Sequence, residues 1–428
     1  MLFTTVIFWK FFIIVFLLIF INSKFLKSVF LQNFILFIAS YLFYAYWDWR
    51  FLSLIIFVSA QTFICGFLIN KFSDRKNFFL TLSILANLIV LGVFKYFNFF
   101  ASELSAVFGI ELSNSLTSII LPVGLSFYIF QSLTYVIDIY NKKMKPEKRA
   151  LHYFTYIAFF PQLVAGPIER ASSLLPQFSR VTTLKLDNIF LGTKLVIVGL
   201  FLKLVVADNL APSVDFYFAN YAQLKGGDLF LGALYFSIQI YGDFCGYSLI
   251  AIGVAKIIGF SLMVNFQTPY FSTSIQEFWR RWHISLSTFF RDYVYIPLGG
   301  SKKGELNTSK NIFYTFTLSG LWHGANWTFI AWGFLHGVLL VVQRLFNYQR
   351  LFNYSVPKPI KTLFSWFFTM AFIMLLWIFF RSSSISDAVN YITIMVSSPD
   401  IPTLDGNLGG LIYCGYYLIV DLYLNRSK

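Results

Sequence analysis

The stretch Ser319-Gly320-Leu321-Trp322-His323-Gly324-Ala325-Asn326-Trp327 sets one histidine between two glycines and two tryptophans, inside an apolar run from about Ile312 to Val342. Imidazole is the side chain that gains and loses a proton near neutral pH. In a hydrocarbon setting it is costly, so an intramembrane histidine is a functional candidate by default; the rival reading is a packing histidine bonded to a neighbouring helix. The glycines shift the balance, because they admit close approach of backbone or ligand and weaken a straight helix. His323 is therefore the candidate reactive centre, with Trp322 and Asn326 beside it.

A second polar stretch is Ser274–Val294, expected as one amphipathic helix. Ser274 followed by Glu277 fits a capping box, and Pro297, Gly299 and Gly300 end the element. Phe278, Trp282, Leu286, Phe289 and Tyr293 fall on one face, Arg280, Ser287 and Arg291 on another, and His283 at the boundary. Two readings stay open. The arginines of an in-plane helix meet lipid headgroups, or Arg280, Arg281 and Arg291, with Lys302 and Lys303, receive a phosphorylated cofactor from the cytoplasm. Asp243, in Gly242-Asp243-Phe244-Cys245-Gly246, is expected to be buried. It either orients a histidine or pairs with Lys256 or another buried cation. His336 and His152 read as structural, and Cys245 as inert filler.

These side chains need elements to hold them, and composition says which kind. The chain has 428 residues, 57% hydrophobic and 21% aromatic but only 12% charged, with a mean hydropathy of +0.68. Soluble domains carry about a quarter charged residues. Several apolar runs reach the roughly 20 residues that span a bilayer, so this is an all-α polytopic membrane protein. The net charge of +14 is not gathered into a run that favours nucleic acid over membrane orientation. Cys65, Cys245 and Cys414 show neither metal spacing nor a disulfide pattern. The N-terminal stretch, with Lys10 inside it and no cleavage signal after it, reads as a retained first helix.

Expected spans are Thr5–Ile21, Phe30–Tyr46, Phe51–Asn70, Phe78–Phe97, Ser118–Asp138, Ile189–Val206, Leu229–Gly259, Leu363–Phe380 and Leu408–Leu424. The seventh is expected to break at Gly242–Gly246, and Tyr153–Ala165, with Pro161, Gly166 and Pro167, to be re-entrant. With the N-terminus outside, 25 basic residues fall in inside loops, from Lys24 through Lys142–Arg149 and Arg350 to Lys428. Only Arg50, Lys225 and Arg381 fall outside. The positive-inside rule then gives eleven crossings, an inside C-terminus, and Ile312–Val342 entering and returning on one side as a hairpin. A single membrane domain over 1–428 is expected, with N-terminal helices 1–140, a core 151–343 and C-terminal helices 360–428.

Here the residues carry a resemblance. Glu277-Phe278-Trp279-Arg280-Arg281-Trp282-His283-Ile284-Ser285-Leu286-Ser287 and Phe290-Arg291-Asp292-Tyr293-Val294-Tyr295-Ile296-Pro297-Leu298-Gly299-Gly300 resemble the long block of the membrane-bound O-acyltransferases. The bacterial branch of alginate and peptidoglycan O-acetylation is similar also at Trp322-His323-Gly324, at Phe160-Pro161-Gln162 with Ala165-Gly166-Pro167, and at Tyr241–Ser248. That branch often has serine where Cys245 stands, against an obligatory acyl-cysteine. The resemblance implies a bundle around a central cavity and acetyl transfer, with His323 as the essential histidine and His283 as the second. A neutral imidazole at His323 takes the proton of an acceptor hydroxyl as it attacks an acetyl thioester, while His283 or Asn326 donates to the developing oxyanion. It further implies acetyl-CoA as substrate with no permanently bound cofactor and no metal. The setting it implies is a bacterial inner membrane, and the acceptor a cell-wall or extracellular polysaccharide.

Two other functions compete: D-alanyl transfer to teichoic acid by the same fold, and a transporter with a midplane site. The outer segments Ala207–Asp228 and Arg381–Asn407 are too short for a glycan-binding domain, which needs at least about 40 residues. A separate periplasmic or membrane-anchored, serine-esterase-like transferase is therefore the expected partner, besides the bilayer. The charge partition makes a prediction. In sealed cells impermeant reagents should miss cysteines placed in Lys142–Arg149 and Lys302–Lys310 and reach one at Glu111. Labelling of the basic loops would reverse the topology.

Overall fold

The computed structural model describes residues 1–109, 119–164, 166–346, 357–400, 402 and 409–426. Glu111, Ser118, Ala165, Arg350, Asn407, Leu408 and Lys428, named above, lie outside the described residues. Among the described residues there are helices and no strand. Seven helical stretches are long and apolar enough to cross a bilayer: Val6–Leu26, Val29–Lys71, Ser73–Phe108, Leu186–Ala219, Gly226–Ile257, Trp327–Phe346 and Lys358–Arg381. The chain is an all-α, multi-pass membrane protein. Its backbone contacts divide it into two units, Met1–Gly199 with Tyr247–Met263, and Leu200–Gly246 with Val264–Lys428.

The first unit holds α1 (Val6–Ile21), α2 (Val29–Asp48), α3 (Leu52–Lys71), α4 (Lys76–Leu91), α5 (Phe97–Phe108), α6 (Leu125–Tyr140), α7 (Ala150–Ala158) and nearly all of α8 (Leu186–Leu200). Thr5 and Ser28 start α1 and α2 by accepting from Phe8 N and Leu31 N at 3.4 and 3.2 Å. α6 begins seven residues later than expected, after Pro122 and Gly124, whose φ of 74° keeps the preceding chain out of the helix. The expected re-entrant stretch is helical only over α7. From Phe159 to Arg180 the chain is largely buried and irregular, apart from short turns at 171–179. Irregular backbone away from water must find its partners within the protein. Here α2 supplies them: Ser40 Oγ accepts from Phe160 N at 3.1 Å, and Asn33 Nδ2 donates to Phe178 O at 2.8 Å. Gln32 Oε1 accepts from Thr182 N at 2.8 Å.

The second unit holds α9 (Asp208–Ala219), the larger part of α10 (Gly226–Ile257), α11 (Ile275–Arg281), α12 (Ile284–Phe290), α13 (Glu305–His323), α14 (Trp327–Phe346), α15 (Lys358–Arg381), α16 (Ile385–Ser397) and α17 (Gly409–Arg426). Two expectations are corrected here. α10 runs unbroken through Gly242–Gly246. Gly242 serves close packing instead, since a Cβ there would lie 3.2 Å from Leu202 O in the π-helical turn Phe201–Ala207. Ser274–Val294 is two short helices and a wide turn, not one helix, because His283 takes φ 42° and ψ 55°. Ser274 Oγ does accept from Glu277 N at 3.1 Å, but the Glu277 carboxylate reaches back to Thr273 N, at 2.8 Å, rather than to the cap itself. α9 and α16 lie in the segments 207–228 and 381–400.

The hairpin around His323 is present, with α13 ending at His323 and α14 beginning at Trp327. Its helices approach closely because Gly320 and Gly333 face each other; a Cβ on Gly333 would lie 2.9 Å from Gly320 Cα. Backbone cannot yield there as a side chain can. Gly333→Val should therefore destabilise by about 1–3 kcal/mol, as overpacking does, and lower the melting midpoint in detergent. Gly415→Val, in open space on α17, is the control expected to leave it unchanged. Equal midpoints would remove the close-packing role.

Candidate active site

His283 owes its left-handed backbone to the strand-like segment before α11. Ile284 N donates to Asn265 O at 2.9 Å and Gln267 N to Arg281 O at 2.9 Å, which pins both sides of the break. The Asn265 side chain completes the clamp. Its Oδ1 accepts from Ser285 N at 3.2 Å and Ser285 Oγ at 2.9 Å, and lies 3.1 Å from His283 Nδ1. Ser285 N can only donate, which fixes Oδ1 as the amide atom facing it; with Oδ1 an acceptor, Nδ1 carries the histidine proton and Nε2 is left with its lone pair. Nε2 is buried and has no hydrogen-bond partner among the described residues. Phe244 packs on the ring edge-on at 4.6 Å, and Trp322 lies at 6.0 Å.

Trp322 also connects to the hairpin histidine, its ring 4.9 Å from that of His323. His323 is half-buried, with Trp332 at 4.9 Å and Phe380 at 5.3 Å on other sides. His336 belongs to a different helix. Trp279 Nε1 donates to its Nδ1 at 3.2 Å, and Trp332 separates it from His323. Asn326 caps α14, accepting from Thr328 N at 3.0 Å through Oδ1 and donating from Nδ2 to Ser383 O at 3.0 Å.

Two cavities flank the hairpin. One of about 770 Å³ runs along its open half, lined by Thr315, Phe316 and Ser319 of α13 and Leu340 and Gln343 of α14, with Arg280, Arg291 and Arg344. The other, about 410 Å³, lies at the turn end, lined by Gln239, Asp243, Asn326, Thr328, Phe380 and Arg381 among others. Of the five residues expected to hold a cofactor, Arg280 and Arg291 line the larger cavity, and Lys302, Lys303 and Arg281 do not. Arg281 instead pairs with Glu277 at 2.6 Å, and Arg291 pairs with Asp292 at 2.7 Å. Asp243 is not buried as expected: its side chain is 45% exposed and pairs at 2.5 Å with Lys203, which also holds Asp208 at 2.7 Å. Of the two readings, pairing with a cation holds, and the cation is Lys203 on the π-helical turn rather than Lys256.

The profile of the membrane-bound O-acyltransferase family matches residues 41–385, and so takes in both histidines and both cavities. The chain belongs to that family. It is 40% identical over 402 residues to a protein of Azotobacter vinelandii named probable alginate O-acetylase, covering 92% of this chain and 79% of that one. To a peptidoglycan O-acetyltransferase of Helicobacter pylori it is 34% identical over 436 residues, covering 95% and 80%. A teichoic acid D-alanyltransferase of Bacillus subtilis is 29% identical over 239 residues, covering 53% and 59%. This O-acyltransferase is therefore an enzyme, and the transporter alternative falls.

Four residues of the O-acyltransferase went unnoticed as site residues. Asn265 meets His283, and Lys203 meets Asp243, far along the chain, which spacing does not display. Arg344 lines the larger cavity and pairs with Glu305 at 2.7 Å. Asp421 is a buried carboxylate in an otherwise apolar helix, and that is a signal the sequence did contain.

Burial pushes the His283 imidazole well below its ordinary value of 6.5, and the charge of His323 adds to the effect. Below that value the unfolded chain takes up a proton that the folded chain refuses, so stability falls as pH drops through about 6.5. Melting in detergent at about pH 7.5 and about pH 5.5 should show a smaller acid loss for His283→Gln than for the parent. Equal losses would contradict a neutral, buried His283.

Proposed function

We propose that the chain is an O-acetyltransferase that moves an acetyl group from cytoplasmic acetyl-CoA to a hydroxyl acceptor on the opposite side of a bacterial inner membrane, toward O-acetylation of a cell-wall or extracellular polysaccharide. The observation that carries this is that residues on either side of His323 line the two cavities. Ser319, one turn before it, lines the arginine-bearing cavity, and Phe380, in contact with its ring, lines the cavity at the turn. The larger cavity has the volume and cations for a phosphorylated thioester, held by Arg280, Arg291 and Arg344. The smaller one brings the acceptor hydroxyl to His323.

In the proposed step the hydroxyl oxygen attacks the thioester carbonyl while His323 removes its proton. The C–S bond then breaks, and the thiolate, whose pKa is only about 8.5, leaves and regains a proton from the imidazolium. Asn326 suits the oxyanion better than His283 does. One amide hydrogen of Asn326 is used on Ser383 O and a second is left, whereas His283 Nε2 carries a lone pair and no hydrogen. His283 is suited to steering a hydrogen on the substrate. Acetyl rather than D-alanyl transfer is favoured because the two O-acetylation relatives described above align over 92% and 95% of the chain, and the D-alanyltransferase over 53%.

A separate transferase then delivers the acetyl group to the polysaccharide, since the outer segments, which hold α9 and α16 among the described residues, are shorter than an independently stable domain needs. The N-terminus lies outside and the C-terminus inside. Reconstitution in liposomes with acetyl-CoA and oligosaccharide, with and without the partner transferase, tests both points. His323→Ala should insert normally and transfer about 10²–10⁴-fold more slowly. Near-parental transfer by that variant sinks the assignment of the base, and full glycan acetylation by this chain alone sinks the relay.

A further inference from the structure

α17 begins well beyond residue 385, where the family match ends, yet it carries a carboxylate that is only 1% exposed. Both oxygens of Asp421 accept from tyrosines: Oδ1 from Tyr241 Oη at 2.8 Å and Oδ2 from Tyr417 Oη at 3.1 Å. A charge kept in apolar surroundings is costly and marks a functional position more often than a packing one. What it holds here is Tyr241 of α10, itself 1% exposed. The Tyr241 ring meets Phe266 edge-on at 5.6 Å and Trp282 at 5.9 Å, and those two rings meet each other at 5.1 Å. Phe266 follows Asn265 directly, and Trp282 directly precedes His283. The same tyrosine therefore backs both halves of the Asn265–His283 pair.

We infer that Asp421, acting through Tyr241, is a positioning residue that sets His283 against Asn265, which makes α17 a working part of the site. The inference rests on reading His283 as part of that site. Packing alone does not account for the arrangement. Apolar groups of the same shape would fill the space with no polar atoms to satisfy, and such replacements are often neutral or better for stability. A hydroxyl held by a carboxylate instead fixes the tyrosine along its own plane. From there the constraint passes through ring contacts to the left-handed turn at His283.

The chain has four histidines, so ¹⁵N-histidine spectra in detergent can be assigned with single His→Gln changes. Asp421→Leu should shift the His283 ring signals and leave those of His152, in the first unit, in place. Turnover in acyl transfer should fall about 10–100-fold, as for a small misplacement of a reacting group, with KM for the thioester within about twofold. Asp421→Asn keeps an acceptor for Tyr241 and should restore most of the turnover. If Asp421→Leu alone does not fold, Asp421→Leu with Tyr241→Phe and Tyr417→Phe removes the carboxylate together with both tyrosine hydroxyls and should give the same His283 shift. An unmoved His283 signal in a folded variant overturns the inference, as does a His152 signal that moves equally. If the parent itself transfers no acyl group, the functional reading fails, and the His283 signal still decides the positioning role.

Discussion

Asn265 Oδ1 is the atom on which the second unit's site depends. Three donors converge on it, from Ser285 N, Ser285 Oγ and His283 Nδ1. Together they break what would otherwise be one amphipathic helix, turn the backbone of His283 into the left-handed region, and choose its tautomer. A non-glycine residue at positive φ carries a strain of about 1–3 kcal/mol and persists only where its surroundings over-determine it. Here the surroundings do so with three side-chain bonds and two backbone bonds across the break. Loss of the break would carry His283 out of register with Trp322, and with it the ring contact that reaches the hairpin.

The first unit answers the same physical demand differently. A bilayer gives irregular backbone no water, so its N–H and C=O groups need protein partners. Ser40, Asn33 and Gln32 on α2 meet Phe160, Phe178 and Thr182, and so allow a largely irregular passage through a buried region. Glu169 in that passage takes part as well, accepting from Met263 N while burial raises its carboxyl to about 7. Polar residues on apolar helices are here the partners of a neighbour's backbone, and in sequence they look like interruptions.

That difference explains what could be read from the sequence and what could not. Helix type follows from composition and apolar length, so the membrane class and the hairpin at His323 were legible. The roles of glycine were not, because the residue both breaks helices and lets them touch. At Gly242 it lets α10 pass Leu202 without breaking, whereas at Gly324 the chain does turn. His283 reads as a boundary position on a helical wheel, and no local pattern warns of Asn265 eighteen residues earlier. Asp243 shows the same limit: a carboxylate amid apolar residues was expected to be buried, and its lysine partner lies forty positions away on a wide helical turn.

The two imidazoles of the site are of one residue type, but their places in the fold treat a proton differently. His323 is the last residue of α13, where the unsatisfied carbonyls of a 19-residue helix concentrate negative potential. A cation formed there gains up to about 2 kcal/mol in favourable geometry. His323 is also half-buried, so a charge on it is less costly than on a fully enclosed ring. His283 is enclosed by Phe244, Phe266 and Trp322, with its one hydrogen committed to Asn265. A second proton on it would bring charge into a site that burial already makes hostile to charge. The proposed step requires one group to become cationic as the hydroxyl attacks and neutral again as the thiolate leaves. The helix terminus at His323 favours that excursion, and the enclosure of His283 opposes it, so the proton should travel through His323 while His283 stays neutral throughout.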